Sequence, residues 1–320
     1  MRVTLYPALV AASAAVGGCF SLSAVPPADG LPAMDEAGMR CTTSFLASAG
    51  PEVESEWKEK AILIHPLLDG HDVGWFILDT GASGWTITSK AAKEAGLPAV
   101  GWSGMQGRDR TTVYRCGRVQ VGDLALDALP LAGLELRHAS AAFGRDIAGV
   151  CGRELFLAAI VELDGPGRRV RLLDPATFRS GRPLDWQPLT FDRNLPHLTC
   201  RYADTEGSFL LDTGCDQAVF VSGPAADQHD LRRYTTGEHK TLVMYGLRRT
   251  VDVAVLPSFA IDGREFGPVP AVLGPPDDAA RSVLPGADGV VGLPLFGNSI
   301  LYLDLGRSRV AIEPRSGADG

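Results

Sequence analysis

No run of the chain reaches eighteen apolar residues, the length a membrane-spanning helix needs, so no such helix is expected. Basic charge is in deficit. Thirty Lys and Arg stand against 38 Asp and Glu, a net charge of −8, which excludes the basic stripe of a nucleic-acid-binding protein. The cysteines have no CxxC spacing. The six histidines, His65, His71, His138, His197, His229 and His239, contain no HExxH, so neither common zinc signature is present. No Gly-x-Ser-x-Gly elbow and no phosphate-binding glycine loop occurs. A metal, a nucleotide cofactor and a serine nucleophile are therefore not expected.

What is abundant is glycine and proline, 37 and 22 of 320 residues, which favours short strands and tight turns over long helices. With 45% hydrophobic residues the chain can bury a core without staples. Arg2 precedes an apolar, small-residue run from Val3 to Gly18 that has the length of a secretory leader, giving a signal peptide at 1–18. The run ends in Val16-Gly17-Gly18-Cys19, which resembles a bacterial lipobox, with Val16 where Leu is usual. Lipidation at Cys19 would hold the protein to a membrane it does not span, on the periplasmic side of the envelope. The alternative is an ordinary leader cut near Ala24. Setting Cys19 aside leaves Cys41, Cys116, Cys151, Cys200 and Cys215, an odd number, so at least one thiol is free and no bridge can be assigned.

Residues 19–56 read as a tether, with Ser21, Ser23, Pro26, Pro27, Gly30 and Pro32 in its first part and little periodicity. From there the pattern is of strands. Ala61–Ile64 and Trp75–Leu78 are apolar runs flanking the hairpin signal Asp69-Gly70; a short helix is expected over Ser89–Ala95, stopped by Gly96. The chain then repeats itself. Gly207–Gly214 (GSFLLDTG) matches Gly74–Gly81 (GWFILDTG) at an offset of 212 − 79 = 133. Gly289–Phe296 (GVVGLPLF) matches Gly149–Phe156 (GVCGRELF) at an offset of 289 − 149 = 140. Self-similarity at this length means a duplicated domain, not a solenoid. The halves are lobe 1 at 57–175 and lobe 2 at 197–315, joined by a linker at 176–196.

Each half has an apolar strand ending in Asp-Thr-Gly. If the two loops meet, two carboxylates share a site where both cannot easily ionise, so one proton is held between them. The ionised member can take a proton from water while the neutral one gives a proton to a carbonyl oxygen. These motifs resemble the aspartic peptidases of the retropepsin/pepsin superfamily, closest to bacterial retropepsin-like proteins with both lobes in one chain. The second hallmark, an apolar pair before Gly, appears as Val290-Val291-Gly292 and more weakly as Val150-Cys151-Gly152.

The resemblance implies an all-β protein with two pseudo-symmetric β-barrel lobes, a few short helices and the cleft between them. It implies Asp79 and Asp212 as the catalytic dyad, braced by Thr80, Gly81, Thr213 and Gly214, and a monomer that is an internal pseudo-dimer. The expected activity is hydrolysis of a polypeptide without cofactor. A flap is expected in each lobe, over Gly104–Tyr114 and Gly237–Tyr245, with Tyr114 and Tyr245 as candidates to touch substrate or as strand-surface residues. One departure is Cys215-Asp216, where the first copy has Ala82-Ser83. Asp216 adds a charge near the dyad and leaves open a non-catalytic peptide-binding or scaffold protein.

Overall fold

The computed structural model describes residues 2–4, 23–35, 38–46, 52–58, 61–105, 109–244, 247–276, 284 and 286–314. Among these residues it is a mostly β molecule of three sheets: one of thirteen strands in lobe 1, one of ten in lobe 2, and one of six that joins them.

The apolar runs of lobe 1 lack alternation because their strands are covered on both faces. Ile62, Ile64, Phe76 and Leu78 enter the main core, while the intervening Leu63 and Ile77 enter a second cluster on the opposite face. The strand Trp75–Leu78 runs antiparallel to Ile62–Ile64 and parallel to Ile147–Cys151. Asp69 and Gly70 both take positive φ, 48° and 81°, as a two-residue hairpin turn requires. The helix Ser89–Glu94 is capped by the Thr88 hydroxyl, which accepts from the Ala91 N–H, and the chain leaves it through Gly96 at φ 66°. Two hairpins complete the lobe: Ala99–Met105 with Asp109–Val121, and the latter with Leu124–Glu135.

Lobe 2 repeats these pairings. Thr205–Asp212 is parallel to Gly289–Gly292 as Trp75–Leu78 is to Ile147–Cys151, with Leu210 beside Val290 and Ile77 beside Val150. Thr235–Met244 and Leu247–Leu256 form the hairpin equivalent to the one at Ala99–Val121.

The six-stranded sheet carries the symmetry most directly. At its centre Ile160–Asp164 pairs antiparallel with Ser299–Asp304, with Val161 opposite Leu303 and Leu163 opposite Leu301. At the offset of 140, 161 corresponds to 301 and 163 to 303, so each residue faces the other's counterpart. That is the relation a two-fold axis through the pair produces. The same offset relates two ion pairs on buried aspartates, Arg169 with Asp164 and Arg309 with Asp304, each at 2.8 Å.

Two segments depart from expectation. The proposed tether carries structure: Arg40–Phe45 pairs with Leu124–Asp127, Glu52–Val53 is an edge strand of the joining sheet, and Ser55–Trp57 pairs with Ile62–Ile64. These strands are mostly polar, with Cys41 and Val53 as their buried members, so no apolar run marked them. In the proposed linker, Trp186–Pro188 closes the joining sheet and Thr190–Asp192 pairs with Leu195–His197. Arg2–Thr4, within the expected leader, pairs with Arg40–Thr42. No disulfide occurs among the described residues, and all five of their cysteines are buried.

Candidate active site

Asp79 directly follows the strand Trp75–Leu78 and Asp212 closes Thr205–Asp212, and the two lobes bring them together with no exposure to solvent. The loops grip one another through their threonines. The Thr80 hydroxyl donates to the Leu211 carbonyl at 2.7 Å and accepts from the Thr213 N–H at 3.0 Å. The Thr213 hydroxyl donates to the Leu78 carbonyl at 2.9 Å and accepts from the Thr80 N–H at 3.0 Å. Four buried hydrogen bonds thus satisfy groups on both sides of the lobe boundary, in a setting where leaving them unmade is costly.

Each loop glycine serves its own aspartate and makes room for the other. The Gly81 N–H donates to Asp79 Oδ1 at 2.8 Å, and the Gly214 N–H to Asp212 Oδ1 at 2.9 Å. A sharp turn through positive φ is not the reason for glycine here, since neither residue is among those with positive φ. Space is the reason: a Cβ on Gly81 would lie 2.6 Å from Asp212 Cγ, and one on Gly214 would lie 2.8 Å from Asp79 Cγ. The glycines of the downstream blocks act likewise. A Cβ on Gly152 would strike the Gly84 carbonyl, and one on Gly292 the Gln217 carbonyl, so these strand ends press against the aspartate loops.

The electrostatics follow from this enclosure. Burial, then the Asp79 charge, then a hydrogen bond between the two carboxyls push the Asp212 carboxyl well above its ordinary range, against the opposing Gly214 and Cys215 amides. Asp216 is half-buried and its Oδ1 accepts from Gln217 Nε2 at 2.6 Å. Cys215 is fully buried in the place corresponding to Ala82, with its thiol pushed well up by burial and then by Asp212.

The hairpins expected to overhang the site are present in both lobes, but their turns at 106–108 and 245–246 lie outside the described residues. Tyr245 therefore lies outside them, as does Cys19. Tyr114 sits at the base of the lobe 1 hairpin, opposite Leu131 and Ala99, half-buried with its ring packed on the main core; this is the strand-surface position. Among the described residues no group of three His, Cys, Asp or Glu is arranged to hold a metal. His197 is buried and its Nδ1 lies 3.0 Å from Ser208 Oγ, with burial lowering its pKa.

One residue near the site was not anticipated. Glu154 is fully buried at the start of the helix Arg153–Ala158, and neither carboxylate oxygen has a well-formed hydrogen bond. Burial pushes it up to about 7, with weak opposition from backbone amides and Arg153. The Arg153 N–H donates to the Ala82 carbonyl, so this helix start abuts the Asp79 loop. The signal was in the repeat, where Arg153-Glu154 interrupts a block that reads Leu293-Pro294 in the second copy.

Two mostly β lobes thus each deliver an Asp-Thr-Gly loop to a shared buried interface. Residues 66–154, which span the Asp79 loop, the lobe 1 hairpin and the Val150-Cys151-Gly152 block, match the family model described as aspartyl protease. No curated protein matches the chain. Among solved structures it is similar to the crystal structure of Basic 7S globulin from soybean, with 10% identity over 85% of this chain and 94% of that one and a TM-score of 0.47.

Proposed function

We propose that the protein is an aspartic endopeptidase, anchored through a lipid on Cys19 to the bacterial envelope. The observation that carries the catalytic reading is the reciprocal seating of the two buried carboxyls, each against the other loop's glycine. A raised Asp212 favours a pair that holds one proton and one negative charge. The charged member activates a water for attack on the peptide carbonyl, and the neutral member donates its proton to the carbonyl oxygen; no covalent intermediate is needed. An extended substrate would lie under the hairpins, held by main-chain hydrogen bonds.

Proteomic cleavage profiling of wild type, Asp79→Asn and Asp212→Asn tests this. The wild type is expected to generate new termini and each folded variant to generate none. Peptide binding without turnover by the wild type would instead establish the non-catalytic reading, and turnover by either variant would remove that aspartate from its role.

A further inference from the structure

The stretch Ser23–Met34, expected as loose tether, is seated on both strands of the lobe 1 hairpin. On the Asp109–Val121 strand, the Val25 carbonyl accepts from the Thr112 N–H at 2.8 Å and from the Thr112 hydroxyl at 3.1 Å. The Val25 N–H donates to Thr111 Oγ1 at 3.2 Å, and the Pro26 carbonyl accepts from Thr112 Oγ1 at 3.0 Å. On the Ala99–Met105 strand, Trp102 donates to the Pro32 carbonyl and accepts from the Met34 N–H, both at 2.9 Å.

Two glycines in the strands beneath are sockets for this stretch. A Cβ on Gly133 would lie 2.7 Å from Val25 Cβ, and one on Gly101 would lie 2.8 Å from the Pro32 carbonyl oxygen and against the Met34 side chain. Neither glycine has positive φ, so the space they leave is their structural use. Ala24 packs on the cluster that contains Ile77 and Ala82, so the stretch is also joined to the apolar layer beneath the hairpin. The equivalent hairpin of lobe 2 differs. Its residues 236–241 are exposed, and no comparable segment crosses it among the described residues.

We propose that Ser23–Met34 is a strap that orders the lobe 1 hairpin, the segment expected as a flap, with Val25, Thr112 and Gly133 as its locking residues. The proposal rests on the reading of Asp79 and Asp212 as catalytic. The strap supplies hydrogen bonds and apolar packing that an isolated hairpin lacks, and an ordered hairpin lowers the cost of ordering a substrate beneath it.

The test uses the full chain with Gly133→Ala, which evicts Val25, and Thr112→Val beside Thr112→Ser. Amide exchange over 99–121 and steady-state peptide cleavage are measured together. Gly133→Ala and Thr112→Val are expected to speed exchange in the hairpin and to lower kcat/KM at least tenfold, chiefly through KM, while the pH profile of kcat keeps its shape. Thr112→Ser keeps the hydroxyl and is expected to behave as wild type. Unchanged exchange in both disrupting variants would overturn the proposal. So would faster cleavage, which would mean that the segment obstructs the cleft. If the wild type cleaves nothing, the catalytic reading fails while exchange still reports on the strap.

Discussion

Gly81 of lobe 1 is shaped by Asp212 of lobe 2: the space where its side chain would begin is taken by the Asp212 carboxylate, 2.6 Å from an ideal Cβ to Cγ. Gly81→Ala is therefore expected to drive the carboxyls apart without disturbing either lobe's core. Overpacking of this kind costs roughly 1–3 kcal/mol. Melting should show a modest loss of stability, and peptide cleavage should fall at least a hundredfold. A variant that melts as wild type and cleaves normally would show that the loops separate freely.

Thr80 should matter through its hydroxyl alone. Thr80→Val abandons the Leu211 carbonyl and the Thr213 N–H, two buried groups whose desolvation goes uncompensated, at a cost of roughly 3 kcal/mol. Thr80→Ser retains both bonds and is expected to lose less than about 1 kcal/mol by the same accounting. Thr80→Val with Thr213→Val should be less than additive, because the two residues belong to one network. Urea unfolding of these variants and of Thr213→Val alone measures this.

The dyad predicts a bell-shaped pH dependence of cleavage, falling where both carboxyls are protonated and again where both are ionised. The raised Asp212 carboxyl moves the alkaline limb upward. A raised folded-state pKa also means that the folded protein holds a proton the unfolded chain releases. The stability tied to Asp212 is therefore present below its unfolded pKa and lost as pH rises through the folded value. Asp212→Asn should abolish cleavage and flatten that part of the stability profile. A monotonic activity profile for the wild type would contradict the shared proton.

Glu154 offers a separate pH test, because it is enclosed without good partners. Its carboxyl is raised from 4.5 to about 7, so its contribution to stability is present below pH 4.5 and lost as pH rises to 7 and beyond. The difference amounts to about 3 kcal/mol. Glu154→Gln is expected to leave stability near wild type at pH 4 and to raise it by that order at pH 8. Equal effects at both pH values would show that the carboxyl does not titrate in the folded protein.

Lipidation at Cys19 predicts that Cys19→Ala yields a soluble, folded protein. With Ser23 seated on lobe 1, at most about 14 Å of extended chain separates it from Cys19, so the anchored enzyme would work close to the bilayer surface. Mass spectrometry of the mature N-terminus decides between a lipid-bearing Cys19 and an unmodified start beyond it.

The strands ending at Asp79 and Asp212, the Asp69-Gly70 turn and the helix stopped by Gly96 were legible because each is written locally, in apolar runs and turn residues. The duplication was legible because two blocks recur at matching spacing, and it implied the meeting of the aspartate loops. Other features were not local. Ser23–Met34 reads as a linker because its hold on the hairpin uses main-chain groups and the empty side-chain positions of Gly101 and Gly133, which no pattern within the segment records. Glu154 stands out only against the second copy, and its enclosure depends on how the helix start meets the Asp79 loop. Sequence alone thus determined the pair of motifs and their kinship. The tertiary structure decided which glycine makes room for which carboxylate, because contacts across a lobe boundary are set by the packing of surfaces distant in the chain.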